Sequence, residues 1–118
     1  VEEELAEHAA EEKEHAEMLA DRIVTLGGTP LIDPKMWYEV TACGYEEPTS
    51  AFVKDLLEQN IKGEQCAIEV YKGLLDFIGS KDPVSFHMIR EILEDEIDHE
   101  EELQALEENF NYMMAHKQ

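Results

Sequence analysis

Two tetrapeptides carry most of the chemistry open to this chain, Glu12-Lys13-Glu14-His15 and Glu96-Ile97-Asp98-His99. On a helix, at roughly 100° per residue, a Glu and a His three positions apart lie about 60° apart and can point at one object. One Glu-x-x-His on each of two facing helices is how a bundle builds a carboxylate-bridged two-metal centre. Mixed carboxylate and imidazole donors suit iron or manganese, with zinc a further fit, better than copper or calcium. A metalloprotease is excluded because no His-Glu-x-x-His occurs.

As bare text the motif is weak, because five histidines among 29 acidic residues produce such spacings by chance. Position gives it weight. Both copies interrupt an apolar stripe at the phase where Leu or Ile is expected. A third carboxylate, Glu64, sits at the middle of another stripe, on the Ala67–Tyr71 seam, whereas Glu58 and Glu69 point more than about 100° away from it. Burying an ionised carboxylate without a partner costs on the order of several kcal/mol, and no Lys or Arg stands on any stripe. A pair of divalent cations would neutralise Glu12, Glu64 and Glu96. The competing account is a solvated polar groove or an internal Glu–His pair.

Other polar residues are ambiguous. Tyr71, two turns beyond Glu64, suits either a ligand-bonding or electron-relay role or a core tyrosine with its hydroxyl satisfied. His8, one turn before Glu12, and Asn60, one turn before Glu64, suit either an outer partner of the ligands or an ordinary helix position. His87 and His116 fall off the seam and read as surface. Cys66, two residues from Glu64, lies about 200° around the helix and so faces the back of it. Cys43 and Cys66 are a candidate redox thiol pair or two unrelated buried thiols.

The elements that must position these residues follow from periodicity. Residues 1–26 read as a helix with the stripe Leu5, His8, Glu12, His15, Leu19, Ile23 and Leu26, stopped by Gly27-Gly28 and Pro30. Nothing caps its start, as though the helix were entered part-way. Residues 27–50 form a long crossover holding Pro30, Pro34 and Pro48; within it Met36, Trp37, Tyr38 and Val40 are expected to pack against another element. Such a crossover spans more than about 40 Å when extended, enough for the next helix to run parallel to the first. The second helix covers residues 51–79, with Thr49 or Ser50 as N-cap and the stripe Val53, Leu57, Asn60, Glu64, Ala67, Tyr71, Leu74 and Ile78. A short turn at Gly79-Ser80-Lys81 returns the third helix, residues 83–115, antiparallel, with Asp82 as cap and Pro83 at its first position. Its stripe is Phe86, Ile89, Leu93, Glu96, His99, Leu103, Leu106, Phe110 and Met113.

Length allows one domain of 118 residues with a core of its own. With 29 acidic against 9 basic residues and a net charge of −20, the surface repels nucleic acid and anionic membrane and concentrates cations. Solubility alone also accounts for such a charge. No apolar run reaches the ~20 residues of a membrane span and no secretory signal pattern stands at the start, so the expected location is cytoplasmic. Two cysteines are too few for a disulfide scaffold, and reduced thiols are the expectation.

At this point a family resemblance is plain. Glu12 to Ile23, continuing through Leu26-Gly27-Gly28-Thr29-Pro30, resembles the second helix of bacterioferritins and Dps-like ferritins. Gly63-Glu64-Gln65-Cys66-Ala67-Ile68 to Tyr71 resembles their third helix, and Ile92-Leu93-Glu94-Asp95-Glu96-Ile97-Asp98-His99 their fourth. The resemblance implies an all-α, ferritin-like antiparallel bundle, here one di-iron domain over residues 1–118. It implies that Glu12 and Glu96 bridge two irons, that His15 and His99 bind one each, and that Glu64 is a terminal carboxylate. Cys66 after the helix-three Glu, with Cys43 in the crossover, is similar to the thioferritin branch, whose paired cysteines lie near the site. The family's first helix, with its own terminal Glu, has no counterpart in this sequence, so the chain reads as N-terminally truncated relative to the family.

The function these features imply is that of a ferroxidase. Fe(II) would be bound and oxidised by dioxygen or peroxide for iron storage, detoxification and protection from oxidative stress, in a homo-oligomer, dimer or cage, that binds neither nucleic acid nor membrane. Two alternatives remain. One is a non-storing di-metal peroxidase or oxidase of rubrerythrin type, although the Cys-x-x-Cys module of a rubrerythrin proper is missing. The other is a non-catalytic acidic helical interaction module with vestigial ligands.

Overall fold

The computed structural model describes residues 1–116. Among the described residues there are four helices and no strand: α1 (Glu2–Thr25), α2 (Pro34–Val40), α3 (Val53–Ile78) and α4 (Pro83–Ala115). Lys117 and Gln118, the last residues of the expected domain, lie outside the described residues. No described helix is long and apolar enough to cross a membrane. The chain forms two compact units, residues 1–45 and the remainder from Glu46.

In the first unit, α1 starts at Val1 with no side-chain cap. It ends because Gly27 takes φ +88°, a conformation open to glycine and strained for other residues. The amides of Gly27 and Gly28 then donate to the carbonyls of Val24 and Ile23, satisfying two of the last carbonyls of the helix in a Schellman arrangement. The crossover contains a short helix. Asp33 accepts from the Lys35 amide at 3.1 Å, Pro34 occupies the first helical position, and the seven residues of α2 follow. The Trp37 indole N–H donates to the Leu31 carbonyl at 2.7 Å and ties α2 back onto the loop before it. The expectation that Met36, Trp37, Tyr38 and Val40 are packed away is not met within the chain, for all four are exposed.

The second unit is an antiparallel hairpin of α3 and α4, which pack along their length. Phe52 at the start of α3 meets Phe110 near the end of α4 edge to face, with ring centroids 5.7 Å apart. The cap of α3 differs from expectation. The helix begins at Val53, with Phe52 at the N-cap position and no side-chain cap. Ser50 stands two residues earlier, where its hydroxyl accepts from the Phe52 amide and donates to Asp55. Asp82 does cap α4, accepting from the Ser85 amide at 3.2 Å and from the Ser85 hydroxyl.

The core of this unit is Leu57, Ile61 and Ile68 of α3 against Ile89, Ile92, Leu93 and Leu103 of α4. The α4 stripe follows its periodicity from Ile89 to Leu103, widened by Ile92, but its expected last member, Met113, is exposed. On α3 the buried edge is rotated by about one residue, since Ile61 is buried while Asn60 is exposed and donates to the Leu56 carbonyl at 2.8 Å. Asn60 is thereby an ordinary helix residue. Because Leu103 is 1% exposed and Phe77 is 77% exposed, truncation should separate them sharply. Leu103→Ala is expected to cost about 2–5 kcal/mol and Phe77→Ala under about 0.5 kcal/mol, read from urea melts followed by helical circular dichroism.

Candidate metal centre

The α4 stripe carries Glu96 and His99 one turn apart between Leu93 and Leu103, and the apolar packing on either side draws both under the surface. Glu96 is 1% and His99 2% exposed. Glu64 of α3, half-buried, faces them across the hairpin. The His99 Nδ1 lies 3.7 Å from Glu64 Oε1 and 3.7 Å from Glu96 Oε1. One oxygen of each carboxylate and one ring nitrogen of His99 all lie within 4.8 Å of one another.

Those two 3.7 Å separations are too long for hydrogen bonds. They do match the spacing of atoms that share an ion. Donors about 2.1 Å from a metal, at angles between roughly 90° and 120°, stand about 3.0–3.7 Å from each other. Two carboxylates and one imidazole are also the donor types that iron and manganese accept. The trio therefore fits a divalent cation in both chemistry and distance.

In the first unit, α1 places the other motif in the same local geometry. His15 is 3% exposed, and its Nδ1 stands 3.9 Å from Glu12 Oε2. His8, two turns before His15 on the same face, is buried as well. The histidines expected at the surface are there. His87 pairs with Glu91 at 3.0 Å, and His116 stacks on Tyr112 and bonds its carbonyl oxygen. Tyr71 is half-buried on α3.

The cysteines correct the expectation of reduced thiols. Neither is a free thiol; Cys43 and Cys66 are each disulfide-bonded, and Cys43 lies in exposed backbone rather than in a core. Periodicity cannot show this, because disulfide formation depends on where sulfur atoms lie in space and not on local pattern.

Comparison with known proteins gives a consistent picture. Residues 1–113 match the family model described as Ferritin-like domain. The chain is 33% identical over 94 residues, 76% of its length, to a curated protein of Pyrococcus furiosus named DNA protection during starvation protein. It spans about half of that relative, 49% of its length. Among solved structures, it is similar to the bacterioferritin-related protein of Bacteroides fragilis, described as a dodecameric thioferritin. The identity is 39% and the TM-score 0.92, with 95% of this chain and 67% of the other covered. With the family model matched over nearly its whole length, and an all-helical fold that superposes on a solved thioferritin, this chain belongs to the ferritin-like domain family, on its Dps-like and bacterioferritin-related side.

Proposed function

We propose that the chain binds Fe(II) at a two-iron centre and oxidises it, as a Dps-like ferritin serving iron storage and protection from oxidants. The observation that carries this is the Glu64–Glu96–His99 trio, with Glu96 and His99 buried, Glu64 half-buried, and all three spaced for a shared ion. Glu12 and His15 are proposed to complete the centre, with Glu12 and Glu96 bridging, His15 and His99 each on one iron, and Glu64 terminal. The repeated Glu-x-x-His geometry on α1 and α4 supports this assignment.

In this reading iron is the substrate and the side chains hold and shield it. Two Fe(II) give up one electron each. With peroxide as oxidant and two protons taken up, two waters leave and two Fe(III) remain. The carboxylates offset the added charge of Fe(III), while the neutral imidazoles keep the centre from being over-compensated. Burial of Glu96 and His99 favours a working site over an acidic interaction module, in which these residues would be free to face water. Cytoplasmic location and assembly into a homo-oligomer are part of the proposal, supported by the dodecamer described for the Bacteroides fragilis relative.

Anaerobic titration with Fe(II), followed by air or peroxide with the near-ultraviolet absorbance recorded, tests the function. Two irons per chain and rapid oxidation are expected, both lost in Glu96→Ala. Binding of two irons without oxidation would refute the ferroxidase step. A second measurement isolates the site from its chemistry. Mn(II) at about 100 times its dissociation constant should stabilise the native protein by roughly 2.7 kcal/mol. Glu96→Gln, which removes a buried charge, should melt no lower than the native protein in chelator and gain nothing from Mn(II).

A further inference from the structure

The two halves of the proposed centre are unequal in what they offer a cation. In the hairpin of α3 and α4, one ring nitrogen and two carboxylate oxygens converge from two helices, with His99 Nδ1 3.7 Å from both Glu64 Oε1 and Glu96 Oε1. The Glu64 side chain is only 13% exposed, and those of Glu96 and His99 less. On α1 the set is thinner. Glu12 and His15 are two donors from a single helix, 3.9 Å apart, and the Glu12 side chain is 42% exposed.

Three differences act in the same direction. Two carboxylates neutralise a divalent ion, whereas one leaves it half-compensated, and affinity for hard cations follows the charge and rigidity of the ligand set. Side chains already packed between helices have little rotamer freedom left to lose, whereas Glu12 must give up both freedom and water. Attraction between opposite charges is also stronger where water is excluded.

We infer that the centre fills in a fixed order, the first ion on Glu64, Glu96 and His99 and the second on Glu12 and His15, bound more weakly by about 10-fold or more. Once the first ion is in place its charge repels the second, which widens the gap. The inference rests on the two-iron reading above and adds the order of loading. That order has a chemical consequence. Peroxide takes two electrons and each Fe(II) gives one, so a chain holding only the first iron cannot complete the reaction. The α1 pair, as the weaker half, sets the Fe(II) concentration at which oxidation begins.

Titration of the native chain with Mn(II), followed by electron paramagnetic resonance, tests the order without turnover. Up to one ion per chain the spectrum of an isolated Mn(II) is expected; between one and two it should give way to that of a coupled pair. His15→Ala should keep the first ion at native affinity and show no coupling. Glu64→Gln, a conservative change at a half-buried position, should weaken the first ion by about 10-fold or more. Circular dichroism of each variant shows that the helices remain. A coupled spectrum from the first addition would overturn the order while leaving the two-metal centre standing. Loss of the first ion in His15→Ala, with native affinity in Glu64→Gln, would do the same. One isolated ion at saturation would overturn the two-metal centre, and the order with it.

Discussion

Burying a carboxyl group to 1% exposure in the middle of a helix is costly unless a cation, a proton or hydrogen bonds compensate it, and at Glu96 the second unit bears that cost. The apolar neighbours Ile89, Ile92, Leu93 and Leu103 bury α4 against α3, and they carry Glu96 and His99 under the surface with them. An apolar residue at position 96 or 99 would avoid the cost of burying a polar group. That the chain keeps a Glu and a His there, with Glu64 opposite, is a local conflict between packing and chemistry. Such conflicts are expected where function, and not stability, sets the residue.

The same logic separates the chain's three kinds of surface. Acidic residues crowd the solvent faces of the helices, where their mutual repulsion is screened by water and salt. The buried seam concentrates a few charges that water cannot screen. The α2 face is nearly neutral and strongly apolar.

How far the sequence revealed all this depends on the range of the forces involved. The α4 stripe and the Asp82 cap are local, and periodicity and capping chemistry predict them within a residue. The two Glu-x-x-His pairs are also local, so their 3.7–3.9 Å Glu–His geometry follows from helix pitch alone. The short helix α2 carries the same local signal, since Asp33-Pro34 is what Asp82-Pro83 is to α4. Periodicity puts Asn60 on the buried edge because 3-4 spacing leaves about one residue of freedom in phase, which the partner helix settles in favour of Ile61. The bonding of Cys43 and Cys66 and the exposure of Trp37 depend on distant parts of the fold, beyond the reach of any local pattern.

The central claim is that the two Glu-x-x-His motifs serve one pair of irons. Anomalous diffraction at the iron edge, from crystals loaded anaerobically with Fe(II), addresses it most directly. The account predicts two peaks about 3.5–4 Å apart, one bonded to His15 and the other to His99, with Glu96 touching both. A single peak, two peaks far from each other, or iron bound only along the exposed acidic helices would contradict it.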